Sequence, residues 1–334
     1  MSLQVKNSPT AAAATMEDII PYLIASFPPD VAQQAGYSLS ELLMRCVYDG
    51  VRCSLDDFQL KVDPSYGNCY TFNFDGRYLT SQTTGMSSGL SVMYSSGQDE
   101  YLDNTQLAGL RVIVHKQNDP VFPDNFGFNV PSGYQVGVTL QHIHLAALDS
   151  TQTPCVSSKN EVNTFNYNTS YSAEACLRSC YQKQVIQRCK CGDPRVPLPP
   201  KSTVAFCDMT RRDCVNDFYG TTGKSSDSSC QCPRACQEDM FEVSVSTTKW
   251  PAFQDEFMRL STNASVTQLG KKNQLAKINL YFYDLIYFEY SEKISYAMLD
   301  LLSDIAAYAG LLLGVSVMSF FELVHVGECL RRKN

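Results

Sequence analysis

Apolar and polar residues alternate along much of the chain before position 291. The alternation runs through Asn68–Phe74, Gly89–Tyr94, Gly109–His115, Gly133–His142 and Met240–Val245, with Gly, Asp, Asn and Pro between the runs. Such period-two segments bounded by turn residues predict strands. The longest run, Ala276–Tyr290, contains INLYFYDLIYFEY and predicts a core strand. Helical signals are fewer. Ser172 precedes a stretch with Glu174 in its first turn and no Gly or Pro as far as Gln184, the pattern of a capped helix. Tyr37–Cys46 predicts a second helix, with Cys46 and Cys53 closing a small loop around it. Trp250-Pro251 opens a third, with Pro at the first helical position. Residues 1–36 carry an Ala run and are expected to be a poorly defined segment with room for short helices.

The pattern changes near the end of the chain. Ile305–Phe321, IAAYAGLLLGVSVMSFF, carries no charge. With Leu299–Asp304 before it and Leu323–Val326 after it, the run reaches the roughly 20 residues that span a bilayer. Arg331, Arg332 and Lys333 come next, which predicts a cytosolic C-terminus. A buried core helix is the competing reading, and the basic flank and the cysteine-rich region upstream argue against it. The expected divisions are a 1–36 N-terminal segment, a 37–295 extracellular domain, a 296–326 membrane helix and a 327–334 cytoplasmic tail. Met1–Ala14 is polar and then Ala-rich, with no apolar core for a cleavable signal. A segment is therefore expected to be missing from the N-terminus.

Ten of the fourteen cysteines fall between 155 and 236. Read inward from both ends, their spacings mirror each other: Cys176 and Cys180 are four apart, as are Cys232 and Cys236, while Cys189 and Cys191 are two apart, as are Cys230 and Cys232. On a helix Cys176 and Cys180 share a face, about 6 Å apart along the axis. In an extended segment Cys230 and Cys232 also share a face, about 6.6 Å apart. Rung-by-rung bridging is thus favoured, with connectivity left open by the spacing alone. A disulfide set of this size implies an oxidising compartment. Zinc is the alternative. Against it stand the scarcity of histidine, four in all with none in the ladder, and two glycosylation sequons, at Asn168 and Asn263.

The net charge of −7 comes without a basic stripe, which excludes nucleic acid as a partner. Abundant Tyr and Phe with a single Trp suit a strand-rich extracellular fold. No catalytic constellation stands out. Gly314-x-Ser316 lacks the second Gly of a nucleophile elbow, and there is no phosphate loop or zinc-binding helix motif. The chain reads as no enzyme, without cofactor or metal. His142-x-His144 places two imidazoles on one side of a strand, too few ligands for a site, and fits a surface role better.

Several motifs together carry a family resemblance. Gly67-Asn68-Cys69-Tyr70-Thr71-Phe72-Asn73 resembles the G-x-C-Y-T-F-N signature of the epithelial sodium channel, degenerin and acid-sensing channel family. Gly89-Leu90 with Gln98–Leu102, the HKQNDPVFPDNFGFNVP stretch over His115–Pro131, and Leu302-Ser303-Asp304-Ile305 with Gly310-Leu311, Gly314-Val315-Ser316 and Glu322-Leu323 after it resemble its other signatures. The likeness covers roughly residues 37–330 and is closest to a degenerin-like subunit. It implies an α+β, disulfide-rich extracellular domain with hand-like palm, finger and thumb and a mixed sheet at its core, ending in one C-terminal transmembrane helix. It implies the pairs Cys155–Cys236, Cys176–Cys232, Cys180–Cys230, Cys189–Cys214 and Cys191–Cys207 in the thumb and Cys46–Cys53 in the finger. Cys69 is then unpaired, since the family's partner comes after a first transmembrane helix that is absent here, together with its His-Gly gating motif. The missing helix would be the signal-anchor.

The resemblance further implies a trimeric, amiloride-sensitive, sodium-selective cation channel that is not voltage-gated. It would assemble as a homo- or heterotrimer with related subunits in the lipid of the plasma membrane, with Na⁺ as permeant ion and an extracellular ligand or proton as a candidate stimulus. A non-conducting accessory or truncated subunit, or a single-span receptor-like ectodomain, is the alternative. At three- and four-residue steps Asp300, Asp304, Ala307, Leu311, Gly314, Met318 and Glu322 fall on one helical stripe, and membrane carboxylates generally line a bundle interior or water path. Asp300 and Asp304 are candidates for an acidic outer mouth. Gly314, Val315 and Ser316 correspond to the family's selectivity filter, with helix packing as the competing role. Ser303 falls at the position where bulky side chains hold the family's pores open. Ala306-Ala307 replaces a Gly pair found in many relatives, and the aromatic that precedes the first thumb cysteine in relatives is missing from Ser150–Cys155. For acid sensing, Asp99, Glu100 and Asp119 face thumb candidates Asp213 and Asp217; solvated surface carboxylates are the competing reading.

Overall fold

The computed structural model describes residues 9–332 except 75, 77, 102–104, 106, 163–164, 223–229, 252–273 and 315. Asn263, Val315, Leu102 and the helix expected after Pro251 lie outside the described residues. The chain divides after Tyr290 into two compact units.

The first unit is built on a six-stranded sheet. Its strands are β1 (Leu43–Tyr48), β2 (Val51–Arg52), β5 (Leu90–Ser95), β8 (Tyr134–Ala146), β11 (Gln237–Lys249) and β12 (Leu275–Ser291), in the order β11-β8-β12-β5-β1-β2. Two-stranded ladders join β3 (Phe58–Asp63) to β4 (Gly67–Phe72), β6 (Gly109–Val112) to β7 (Phe128–Pro131), and β9 (Cys155–Val156) to β10 (Arg234–Ala235). Alternation places Val136, Val138 and Leu140 of β8 on one face. They pack with Tyr94, Val130, Ala276 and Ile278 as the sheet's core. Each buried Val, Leu or Ile among them contributes roughly 1.5–3 kcal/mol. The buried Tyr94 hydroxyl donates to the carbonyl of Val130 at 2.6 Å, so the ring's polar tip is satisfied.

The expected helix over Tyr37–Cys46 is corrected. A single turn, α3 (Leu39–Leu42), gives way to β1, which pairs antiparallel with β5. The turn has helix-start chemistry, since the Glu41 carboxylate accepts from the Ser38 amide at 2.7 Å. Beyond it, the cross-strand partners of Arg45, Cys46 and Val47 decide the conformation. Cys46–Cys53 therefore staples a hairpin rather than a loop around a helix. The N-terminal segment carries α1 (Pro9–Ser26) and α2 (Pro29–Gln34). Strand β12 is a core strand only in its first half: Leu275, Ala276 and Ile278 are buried, whereas Tyr283, Leu285, Ile286 and Tyr287 are exposed.

The ladder sits on two helices, α4 (Ala173–Cys189) and α5 (Arg212–Thr222). Ser172 caps α4, its hydroxyl accepting from the amide of Ala175 at 3.1 Å, and Lys190 in the left-handed region ends it. The structure joins six cysteine pairs: Cys46–Cys53, Cys155–Cys236, Cys176–Cys232, Cys180–Cys230, Cys189–Cys214 and Cys191–Cys207. Cys176 and Cys180 meet the extended Cys230–Cys232 segment with Cα separations of 5.7 and 6.0 Å. Between the rungs a core forms from Val185, Cys189, Cys191, Cys207, Val215 and Phe218, and Tyr22 of α1 enters it. Beside it, fully buried Gln182 donates to the carbonyls of Asp193 and Val196 and accepts from the Asp193 amide. Asp193, 1% exposed, takes Arg195 and the Tyr181 hydroxyl.

Candidate pore segment and candidate residues of the first unit

The second unit contains α6 (Met298–Leu313) and α7 (Val317–Arg331). Among the described residues no single helix is long and apolar enough to cross a membrane; α6 and Met318–Arg331 pass that test only as a pair, bent by 80°. The expected single helix over 296–326 is thus two, and the reason is local. Gly314 takes φ 63° and ψ 19°, a left-handed conformation that costs an L-residue with a Cβ about 1–2 kcal/mol. Ser316 is extended and starts α7: its hydroxyl accepts from the Ser319 amide at 3.3 Å, and the Ser319 hydroxyl accepts from the Ser316 amide at 3.3 Å. A helix stop and a helix start are separated by one residue. The run is apolar but lacks the backbone continuity of one span.

The break divides the expected stripe. Asp300, Asp304, Ala307 and Leu311 succeed one another on α6, and Met318 and Glu322 share a face of α7, but no continuous face joins the two sets. All six residues, with Ser303, Gly314 and Ser316, are exposed on this chain, Leu311 at 81% and Met318 at 71%. The large apolar residues exposed on the other faces of these helices belong in protein or in lipid. The two carboxylates expected at the mouth are engaged locally. Asp300 accepts from the amide of Ala297 at 2.7 Å, which satisfies a free donor of the first turn, and Asp304 accepts from the Tyr296 hydroxyl at 2.5 Å. The last carbonyls of α6 have no partners further along a helix. Non-helical backbone at membrane depth persists only where it is buried in protein or lines water. At Gly314 and Ser316 the helical backbone is interrupted.

In the ectodomain, Cys69 is free and half-buried on β4, opposite Lys61. Burial first, then the Asp63 charge, push its thiol up to about 11, against the pull of Lys61. Asn168 of the first sequon is exposed. Asp213, at 83% exposed, is reached by Arg212 at 3.3 Å. Asp119 turns elsewhere: the Ser170 hydroxyl donates to it at 2.5 Å. Its carboxyl is raised by burial against the effects of Ser170, Lys116 and His115. Glu238 is raised in the same direction, by burial of its carboxyl and then by Asp119, although the residue as a whole stays exposed. The raised pair is thus Asp119 with Glu238.

His142 and His144 converge on one residue that the sequence does not flag. Asp239 lies opposite His144 in the β8–β11 ladder. Its Oδ1 accepts from His142 Nε2 and His144 Nδ1, both at 2.9 Å, and its Oδ2 is paired with Lys116 Nζ. Burial raises its carboxyl, but the hydrogen bonds from Lys116, His144 and His142 outweigh burial and hold it well below the usual range. Among the described residues no group of three or more His, Cys, Asp or Glu is arranged to hold a metal ion.

The chain thus combines a disulfide-stapled α+β domain with a helix pair, broken at Gly-x-Ser, whose joint length and composition suit a membrane. Residues 13–326 match the family model described as amiloride-sensitive sodium channel. The chain belongs to that family, whose members are ion channels rather than enzymes. It is 32% identical over 340 residues to degenerin unc-8 of Caenorhabditis elegans, covering 96% of this chain and 43% of the relative. It is 33% identical over 298 residues to degenerin del-1 of the same organism, covering 86% and 44%, and 30% identical over 293 residues to degenerin mec-4 of Caenorhabditis briggsae, covering 85% and 38%. The chain thus spans less than half the length of these curated relatives.

Proposed function

We propose that the chain is a subunit of a plasma-membrane sodium channel, amiloride-sensitive and not voltage-gated, assembled as a homo- or heterotrimer with related subunits. The ectodomain lies outside the cell and the C-terminus inside. The observation that carries this reading is the helix break at Gly314–Ser316. A left-handed glycine and a capping serine interrupt the helix within an apolar stretch, at the tract corresponding to the family's filter. Around a threefold axis this tract would line the path of Na⁺, with Asp300 and Asp304 on the outer side and Glu322 on the inner side. Ser303, small and exposed on α6, is the gating position. A non-conducting accessory subunit is the second reading, favoured by the local engagement of both Asp300 and Asp304.

Voltage clamp of cells expressing the chain with Ser303→Phe separates the two. The channel reading expects an inward current that amiloride blocks and that vanishes when external Na⁺ is replaced. Surface-exposed protein without current supports the accessory subunit.

A further inference from the structure

We propose that the face of the six-stranded sheet opposite its main core carries a binding site for a small organic carboxylate, built from Arg45, Ser91, Lys277 and Asn279. The strand register places them. Arg45 of β1 and Lys277 of β12 both lie opposite Met93 of β5, and Asn279 lies opposite Ser91. Cross-strand partners share a face, so these side chains stand on the side away from Tyr94, Ala276 and Ile278. Lys277 and Asn279 are about 6.6 Å apart along their strand, and the backbones of Arg45 and Lys277 are two strand spacings apart, about 10 Å. Both cationic side chains are long enough to converge above Met93. Asn279 is 1% exposed. Its Oδ1 accepts from the Ser91 hydroxyl at 2.8 Å, while its buried Nδ2 has no hydrogen-bond partner among the described residues. A buried donor without an acceptor is destabilising, and such groups mark places where a partner is due. Among the described residues neither Arg45 nor Lys277 forms an ion pair. Burial first, then the Arg45 charge, hold the Lys277 ammonium below the usual lysine range. An anion between the two cations offsets both effects and gives the Asn279 amide its acceptor.

The neighbours decide the kind of anion. A carboxylate offers two oxygens with about four acceptor positions. These suffice for the Asn279 amide, the Lys277 ammonium and a forked pair of bonds from the Arg45 guanidinium. A halide has a single centre and cannot meet donors spread across three strands. Met93 also belongs to a small apolar cluster with Leu275, Met44 and Trp250. Beside the donors there is thus apolar surface for the carbon end of an organic acid, against which the outer oxygens of a sulfate or phosphate would be left without donors. Access comes from the cationic side, where Arg45 is exposed and Lys277 half-buried. The site lies wholly in the first unit and uses none of the pore candidates. That its occupation acts on a pore rests on the channel reading; the binding itself does not.

Trp250 is the single tryptophan of the chain and packs in the cluster beside the site, so its emission reads binding without any current. The full chain in nanodiscs is titrated with sodium acetate at neutral pH and constant ionic strength, with chloride and sulfate as comparison anions. Acetate is expected to shift the emission saturably, and chloride and sulfate to leave it unchanged. Lys277→Met and Asn279→Leu are each expected to weaken acetate binding about tenfold, the effect of losing one hydrogen bond to a charged group. Arg45→Met, at the exposed end, is expected to weaken it about threefold. Asn279→Asp supplies a carboxylate from within the chain and is expected to abolish the acetate response. Intact disulfides by mass and an unchanged thermal transition establish folding. If the Asn279 variants fail to fold, wild type and Lys277→Met decide. The absence of a saturable acetate shift in the wild type overturns the proposal, as does an equal response to chloride or sulfate, or undiminished affinity in Lys277→Met. Surface protein without current in Ser303→Phe alongside an intact acetate response would sink the channel reading and leave the carboxylate site standing.

Discussion

The thumb and the C-terminal helix pair are built from opposite materials. Around α4 and α5, five of the six disulfides close over a buried core, and Gln182, Asp193 and Arg195 satisfy one another within it. Shape there is set by the chain itself. Among the described residues, helices α6 and α7 carry no disulfide, α6 buries no side chain, and large apolar residues of both are exposed. What fixes their shape locally is the Gly314–Ser316 break. One region is held by its own bonds, whereas the other leaves its apolar residues exposed.

The contrast can be broken hardest at the ladder. Loops of 56 and 50 residues are closed by Cys176–Cys232 and Cys180–Cys230, and removing both bonds together by Cys→Ser substitution is expected to cost on the order of 4 kcal/mol, since either rung left in place keeps most of the loop closed. The thermal transition of the purified chain measures this, and a change below about 1 kcal/mol would mean that the rungs are decorative. Next comes Asp193→Ala, which leaves Arg195 without its partner and is expected to cost roughly 3 kcal/mol in the same assay.

Changes in the helix pair should alter shape before stability. Gly314→Ala places a Cβ in the left-handed conformation at about 1–2 kcal/mol, which favours continuing α6 into α7. Spin labels at Leu299 and Leu330 should then move apart, whereas an unchanged distance would show that Gly314 does not set the break. Ser316→Ala removes one cap bond, worth about 1 kcal/mol, and should fray the start of α7 in the same label experiment. The smallest effect is expected at Asp119. Its raised carboxyl means that the folded chain holds this proton more readily than the unfolded chain, so stability is lost as pH rises through the folded value. Asp119→Asn should flatten that part of the pH–stability curve, and a steeper curve would contradict the assignment.

Much of the first unit is legible in the residues alone. Ser172 and Glu174 announce α4, and alternation announces β4, β5, β8 and β11, because each pattern is local. Residues 43–48 mislead, since the Ser38–Glu41 cap has a true helical signature but pairing with β5 sets the conformation of the next six residues. Asp239 is invisible in sequence because only the β8–β11 register sets it against His144. Tyr22 is invisible for a similar reason: nothing in an Ala-rich leader indicates that one ring enters the thumb core. In the membrane segment, composition indicates a continuous run, and the break rests on two residues whose backbone angles hydropathy does not report. The expected filter residues Gly314 and Ser316 coincide with that break, while the expected stripe from Asp300 to Glu322 does not survive it.

The most direct test of the central claim, that the Gly314–Ser316 break is the ion-selective segment, is the reversal potential under opposed Na⁺ and K⁺. It is measured in the Ser303→Phe background with and without Ser316→Ala. The account expects a current reversing near the Na⁺ equilibrium potential in the first case and a shift toward the K⁺ equilibrium potential in the second. An identical reversal potential in both, or surface protein that carries no current at all, would contradict it.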